Sequence, residues 1–185
     1  MTETRMDRIE RLGTTGMQEA LRRKERPPVR FLPEPDPRPR ELAIISVDDH
    51  VIEPADMFEG RIPSRFEELG PVVVELENGT QLWRIEDQLV PNIGLNATVG
   101  KEEGCTTEPQ RFDEMRRGTW DIEARIRDLD IDGVWASLCF PSALSGFAGW
   151  KYSRLKNQEF GFAAMRAWND WLIEVWAGTH PDRII

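Results

Sequence analysis

The chain has 185 residues, of which 39% are hydrophobic and 31% are charged, a composition typical of one soluble domain with a substantial core. Its formal net charge of −9 argues against nucleic acid as a main partner, because phosphate binding requires a basic surface. No stretch approaches the roughly 20 apolar residues of a membrane span, and no apolar signal segment opens the chain. These features predict a cytoplasmic protein with no membrane partner.

The N-terminal region differs from the rest in charge and in proline content. Residues 1–40 carry ten Lys and Arg against seven Asp and Glu, a balance of +3, which leaves −12 on the remainder. Six prolines fall within residues 27–39, which favours an extended, unpaired chain. Residues 1–41 are therefore predicted to form an N-terminal arm, partly helical and then Pro-rich. A disordered tail is the alternative, but the apolar Phe31 and Leu32 favour an arm that wraps on an acidic surface.

An apolar run over residues 42–47 ends abruptly in Asp48, Asp49 and His50. Such a run indicates a strand buried on both faces, as in the parallel sheets of α/β proteins. Because side chains alternate along a strand, we expect Asp48 and His50 on one side and Asp49 on the other. A carboxylate and an imidazole then converge at the carboxyl end of a strand, where barrel enzymes keep their active sites. The alternative is an acidic loop with a solvated histidine, and two ligands fall short of the about four that zinc binds.

A hairpin and a long loop are predicted after this strand. Two alternating runs flank Asn78-Gly79, a strong hairpin signal, and they predict a hairpin insertion at about residues 71–91. Residues 92–118 contain scattered glycines with little periodicity and predict a long loop, which is uncommon unless it is functional or packed on something else.

The remainder alternates between helical and strand patterns. Asp121 can cap a helix that ends at Gly133, and the apolar run 134–140 that follows predicts a second buried strand. This order predicts the right-handed crossover of a parallel sheet. Residues 157–177 predict a helix about 30 Å long with one broad apolar face. Residues 183–185 resemble the first residues of a third strand.

Residues 46–54, Ser-Val-Asp-Asp-His-Val-Ile-Glu-Pro, resemble the opening of the amidohydrolase-related, metal-dependent hydrolases. The resemblance is to the branch that includes the aminocarboxymuconate-semialdehyde and resorcylate decarboxylases. Residues 132–134 and 140–142, Asp-Gly-Val and Phe-Pro-Ser, match the segment around that family's second barrel strand. The resemblance covers residues 42–185, the N-terminal part of the family. It implies an α/β fold: a partial TIM barrel with two strand-helix units and the start of a third.

The family also implies a metal site. Its first barrel strand ends in an acid-x-His or His-x-His pair that binds the metal, and Asp48 and His50 occupy those positions. Ile52 stands where a second histidine would extend the pair, so the resemblance implies one divalent metal, with zinc expected. Glu53 and Ser142 are candidate substrate-binding residues, although a solvated loop acid is the alternative for Glu53. His180 precedes the third strand, at the opposite end of the barrel, and is not expected to be a ligand.

The predicted barrel is incomplete. An eight-unit barrel takes at least about 200 residues and typically about 250, and the arm and hairpin leave room here for two units and part of a third. The family's remaining metal ligands have no counterpart in this sequence. The resemblance therefore implies a larger second subunit that supplies the remaining strands, ligands and the catalytic acid or base, in an obligate hetero-oligomer. A fragment of a longer protein would have the same sequence.

The leading functional hypothesis is a split metal-dependent hydrolase that uses metal-activated water on a C–N or C–O bond of a small molecule. The many tryptophans favour an aromatic substrate. Nonoxidative decarboxylation of an aromatic acid is the enzymatic alternative. A noncatalytic structural or regulatory subunit of an amidohydrolase-like complex is the alternative of a different class.

Overall fold

The computed structural model describes residues 28–90, 93–94, 97–102, 109–142, 144–146 and 149–185, so the helical pattern predicted before residue 27 lies outside the described residues. The strands are β1 (Ile45–His50), β2 (Val72–Glu75), β3 (Gln81–Ile85), β4 (Gln88–Val90) and β5 (Ala136–Phe140). The helices are α1 (Ile122–Asp132), α2 (Gln158–Trp171) and the short α3 (Ala177–Thr179), with a π-helical turn at Leu172–Trp176 between the last two. Single 3₁₀ turns lie at Ser64–Phe66, Phe112–Glu114, Arg117–Thr119 and Tyr152–Arg154.

A parallel sheet forms the centre of the fold. β1 pairs in parallel with β5, and Ser137 of β5 makes a parallel bridge to Ile184. Ser137 donates its N–H to Arg183 O at 2.9 Å and accepts from Ile185 N at 3.0 Å, so these bonds lie on the edge of β5 opposite β1. The described architecture is thus mixed α/β with a parallel sheet, as the sequence predicts.

A separate antiparallel sheet has the strand order β2-β3-β4. The turn between its first two strands contains Gly79 at φ 80°, and Asn78 accepts a hydrogen bond from Thr80 N at 3.1 Å. β4 follows a second tight turn, at Glu86, and was not predicted. Trp83 is buried and meets the ring of Phe58 edge to face, with ring centroids 6.0 Å apart. Contacts of this kind pack one face of the sheet against the main core.

The two main helices begin where the sequence places capping residues. Asp121 accepts a hydrogen bond from Ala124 N at 2.9 Å, and Gly133 ends α1 with φ 76°, a conformation that favours glycine. Asn157 caps α2 in the same way, by accepting from Phe160 N at 3.0 Å. The buried residues of α2 form its core-facing side: Phe160, Gly161, Ala164, Ala167, Trp168 and Trp171.

The π-helical turn after α2 is a departure from the single long helix that periodicity predicts. It adds a residue to the helical repeat and so shifts the face that later side chains present. Trp176 is buried there, and its ring centroid lies 5.7 Å from that of Trp171.

The Pro-rich arm lies on the body of the protein over residues 28–41. Its backbone meets residues 97–102 through the 2.7 Å bond from Leu32 N to Gly100 O. Glu34 forms ion pairs with Arg116 and Arg127 at 3.4 and 3.2 Å. In these two ion pairs the arm contributes the acid, whereas Arg40 of the arm pairs with Asp130 in the polarity predicted for a basic arm on an acidic surface.

The prediction that the run before Asp48 is buried on both faces is wrong for the described residues. β1 begins only at Ile45, and Leu42, Ile45 and Val47 are 72%, 50% and 67% exposed. The physical reason is that burial of a strand requires other elements packed on its faces, and in the two-stranded sheet of β1 and β5 no residue of β1 is fully buried. An exposed apolar edge strand is a surface prone to pairing with another strand.

The cap of α1 yields a prediction about stability. Substitution of Asp121 by alanine should lower the free energy of unfolding by about 1 kcal/mol. Burial alone would raise the pKa of Asp121, but bonds from Ala124 N and Arg117 outweigh it, so the pKa lies below its ordinary value. The stabilisation should therefore be present above the unfolded pKa of about 3.9 and be lost as the pH falls through the folded pKa.

Urea unfolding of the wild type, Asp121→Ala and Asp121→Asn across this pH range checks the prediction. Asparagine also caps helices but does not titrate, so Asp121→Asn should lack this component of the pH dependence. Equal stability of the alanine variant and the wild type near neutral pH would contradict the assigned role.

Candidate functional site

The carboxyl ends of β1 and β5 lie side by side. His50 is paired with Phe140 in the parallel register, and Val51 N donates to Phe140 O at 3.0 Å. The segments that follow the two strands therefore run together at one edge of the sheet. This brings His50 and Glu53 against Pro141, Ser142 and Ser145, beside the strand end where the sequence predicts the site.

A bulge interrupts β1 within the predicted motif. The register shifts between Ser46 and Asp49, where β1 has one residue more than β5. The regular alternation expected for residues 48–50 is therefore broken, because a bulge changes the direction of the side chains around it. Asp49 accepts a hydrogen bond from Ser137 Oγ, which lies 3.4 Å from Cys139 Sγ. Asp48 is exposed and has no hydrogen bond or ion pair within the described part of the chain.

The imidazole of His50 is held in one orientation. Its Nδ1 lies 3.0 Å from Pro141 O. A carbonyl oxygen only accepts hydrogen bonds, so Nδ1 carries the hydrogen and the Nε2 of a neutral ring has a free lone pair. This is the tautomer in which Nε2 can bind a metal while the other nitrogen is fixed by a backbone acceptor.

The backbone of His50 accepts a hydrogen bond from a side chain of α1. Arg125 of α1 donates from Nη2 to His50 O at 2.7 Å. The guanidinium carbon of Arg125 lies 5.7 Å from the ring centroid of Trp176, the residue that the π-helical turn places in the core. The end of β1 is thus supported by a charged donor that stacks on a buried aromatic ring.

Glu53 is fully buried, with 0% of its surface exposed. Its carboxylate accepts from Ser142 N at 3.3 Å and from Ser142 Oγ. It also accepts from Ser145 N at 3.4 Å and from Ser145 Oγ at 2.9 Å. The two candidate substrate-binding residues, Glu53 and Ser142, are therefore in direct contact, inside the protein rather than on its surface.

Two neighbours of this carboxylate have shifted pKa values. Burial raises the pKa of Tyr152 well above its ordinary value, and the charge of Glu53 adds to this, while the hydrogen bond with Ser145 opposes it. Burial lowers the pKa of Lys151, and Glu53 counteracts that shift. Tyr152 consequently stays protonated and can donate a hydrogen bond, and its hydroxyl lies 3.0 Å from Ser145 Oγ.

A cavity of about 290 Å³ adjoins these groups. Its polar lining is contributed by Ser145, Tyr152 and Asn169, and its apolar lining includes Phe140 and Trp168. The cavity is adjacent to the carboxyl end of β5, next to the carbonyl that holds His50. A small molecule of mixed polarity would fit a space of this size and lining.

The described residues contain no group of three or more His, Cys, Asp or Glu side chains placed to hold a metal. Asp48 and His50 offer donor types that zinc accepts, but they are only half of a four-ligand set. His180 does not join them, because its Nε2 lies 3.0 Å from Glu123 Oε1 near the start of the helix that precedes β5. A metal at this strand end would need further ligands beyond the described residues.

Sequence reasoning did not identify three contributors to this site: Arg125, Ser145 and Tyr152. Arg125 and Tyr152 lie far along the chain from residues 48–53, and no local spacing connects them with that segment. Ser145 had the one available signal, since it follows Ser142 by three residues in a turn after a buried strand. Only the packing of the crossover segments against the strand ends brings these residues together.

The fold is similar to that of a solved amidohydrolase. The chain aligns with the crystal structure of an amidohydrolase from Mycobacterium avium subsp. paratuberculosis K-10 with a TM-score of 0.54 and 20% sequence identity. The alignment covers 78% of this chain and 42% of the other, so the chain spans less than half of that structure's length. At this identity the likeness shows the fold alone. No protein family model and no curated protein matches the sequence.

No helix within the described segments has both the length and the apolar character required to cross a membrane.

Removal of the Arg125 side chain should loosen the end of β1. Arg125→Met deletes the charged donor to His50 O and should lower the free energy of unfolding by about 1 kcal/mol. The amide of Val51 should also exchange faster with solvent, because its bond to Phe140 O lies beside the lost contact.

The matched control is Arg127→Met on the same helix. Its side chain is 70% exposed and pairs with Glu34, so its loss should change stability little. Equal effects of the two substitutions on Val51 exchange would contradict a specific role for Arg125.

Proposed function

We propose that this chain is part of a metal-dependent hydrolase of the amidohydrolase type, and that it contributes Asp48 and His50 to a site for one divalent metal, with zinc expected. The observation that carries the proposal is the bond between His50 Nδ1 and Pro141 O, which leaves Nε2 available as a ligand. The similarity to a solved amidohydrolase supports the fold in which such a strand end faces the active site.

The roles of the chain's own residues follow from their positions. Asp48 is exposed beside the bulge, so its carboxylate is accessible as a second ligand. The cavity beside Phe140 and Tyr152 is where a small substrate would bind. When bound at such a site, a divalent metal supplies the activation of water for hydrolysis of a C–N or C–O bond.

A larger second subunit completes the site in this proposal. Two donors from this chain leave about two positions to be filled by other ligands. Leu42 before β1 and Ile45 and Val47 within it have exposed apolar side chains, and one edge of β1 has no described partner, so a further barrel strand could pair with that edge and help to cover these side chains. The catalytic acid or base is also expected from that subunit, in a hetero-oligomer.

A noncatalytic subunit is the second candidate. The observation that favours it is the lack, within the described residues, of a third metal-binding side chain near Asp48 and His50. In this case the partner would carry a complete ligand set and eight strands of its own. The partner's sequence distinguishes the two candidates, because the split enzyme requires a partner that supplies the remaining metal ligands and not a complete set of its own.

Substitution of either ligand should remove the metal. In the assembled protein, Asp48→Ala and His50→Ala should each lower the zinc content at least tenfold and reduce hydrolysis to background, because each deletes one of few ligands. Zinc content by elemental analysis and activity towards amides, esters and aryl ethers measure the two effects.

The controls are Asp56→Ala, an exposed acid in the following turns, and His180→Ala, the only other histidine in the chain. Both should keep the metal and the activity. Full zinc content in Asp48→Ala and His50→Ala would refute the ligand assignment. Release of CO₂ from hydroxybenzoates, without hydrolysis, would replace the hydrolase with the decarboxylase alternative.

A charged side chain at an exposed apolar position of β1 should prevent association with the second subunit. Ile45→Lys places an ammonium group on the surface proposed to contact the second subunit, where its desolvation is costly, and should reduce copurification of the partner at least tenfold. Ile173→Lys is the matched control, because Ile173 is also exposed but lies in the π-helical turn after α2. Pull-down followed by size-exclusion chromatography measures the association. Unchanged assembly of Ile45→Lys would contradict the proposed contact.

A further inference from the structure

We infer that Glu53 is a positioning residue for His50: it holds Ser142 and Ser145 in the turn that follows β5, and through Pro141 O it sets the orientation and tautomer of the imidazole. The inference deepens the proposed function and rests on it for the role of His50 as a metal ligand. In this inference the buried carboxylate of Glu53 orients His50 and does not contact the substrate.

The environment of Glu53 is that of an internal anchor. All four of its hydrogen bonds come from Ser142 and Ser145, two through backbone N–H groups and two through hydroxyls. Burial of a carboxylate costs free energy unless its oxygens accept hydrogen bonds. Here Ser142 and Ser145 of one turn supply the donors. No ion pair of Glu53 occurs within the described residues. Within the described residues the hydrogen bonds of the carboxylate therefore all go to this turn, while its charge also acts on Lys151 and Tyr152.

Hydrogen bonds connect the segment that contains His50 and Glu53 with the turn that follows β5. Glu53 follows His50 by three residues, and Pro141 immediately precedes Ser142. The bonds from His50 to Pro141 O and from Ser142 to Glu53 thus join the same two segments twice. A shift of the turn away from Glu53 would move the carbonyl that fixes the ring.

The far side of the turn is also restrained. Gly146 donates its N–H to Ser142 O at 3.1 Å and has φ 67°, which lets the chain reverse tightly there. Ser145 is shared between Glu53 and the buried Tyr152 hydroxyl. Ser145 thereby connects this turn with the buried Tyr152 and with Glu53 in the segment after β1, and these contacts restrain the position of Pro141 O.

The functional consequence is a preorganised nitrogen ligand. A metal-binding histidine commonly donates its second ring N–H to a backbone carbonyl or carboxylate, and loss of such a partner costs about 10- to 100-fold in metal affinity. Here the direct partner is a carbonyl, which cannot be removed by a side-chain substitution. Glu53 is the side chain through which its position can be changed.

The test uses ¹⁵N-histidine NMR on the full chain in the assembly in which it purifies. The sequence contains only His50 and His180, so His180, paired with Glu123, serves as an internal reference. In the wild type, the neutral His50 ring should carry its hydrogen on Nδ1. Glu53→Gln keeps the size of the side chain but removes its charge, which weakens the three hydrogen bonds to Oε1, and it replaces Oε2, the acceptor of Ser142 Oγ, with an NH₂ group.

In Glu53→Gln, the His50 resonances should move towards the Nε2–H tautomer, those of His180 should stay in place, and zinc affinity measured by titration should fall at least tenfold. Ser142→Ala should produce the same shift to a smaller extent, because it removes one of the four donors. It also provides the test if Glu53→Gln does not fold. The controls are Glu59→Gln, at an exposed turn position, and Ser153→Ala, whose exposed hydroxyl bonds only Trp150 O.

A folded Glu53→Gln or Ser142→Ala with wild-type His50 resonances would overturn the inference, even if its stability were reduced, because the role would then be structural only. Failure of the proposed function has a different signature. In that case, zinc added to the wild type would leave the His50 resonances unchanged, while the comparison of tautomers without zinc would still decide the role of Glu53.

Discussion

The parallel pairing of β1 with β5 is the constraint on which the other features of this structure depend. Parallel strands require a crossover, and the hairpin sheet, the loop region and α1 together form the connection between these two. Because both strands run in the same direction, the segments that leave them emerge at the same edge. His50 then meets Pro141, and Glu53 meets Ser142, although each pair is about 90 residues apart in the chain.

Burial at this strand end is the reverse of what the residue types favour. Glu53 is a charged residue with no exposed surface, whereas apolar residues of and before β1, such as Leu42 and Val47, are mostly exposed. The first observation is explained by donors within the chain, since four hydrogen bonds compensate the carboxylate. The exposed apolar side chains are not covered within the described residues, and this is the observation behind our proposal that a further strand lies beside β1.

Support for the site also comes from the helical layer. Arg125 links α1 to the backbone of His50, and its guanidinium stacks on Trp176, which is placed by the π-helical turn. The π-helical turn thereby helps to position the end of β1, through Trp176 and Arg125. π-helical turns are rare in ordinary helices and are frequent near functional sites, in agreement with this arrangement.

The sequence alone determined the features that depend on neighbours within a few residues. Asp121, Asn157 and Gly133 mark helix ends through local hydrogen bonds and backbone conformation, and Asn78-Gly79 marks a tight turn. The order of strand and helix patterns also sufficed for an α/β fold with a parallel sheet.

Tertiary structure alone decided the bulge in β1, the tautomer of His50, the burial of Glu53 and the contact of Arg125 with the strand end. Each depends on a partner from a distant segment, and no local pattern specifies which groups will meet when the segments pack. The identities of Asp48 and His50 as candidate ligands were therefore accessible from sequence. The hydrogen bonds that orient His50 required the register between β1 and β5, because that register sets which carbonyl lies beside the ring.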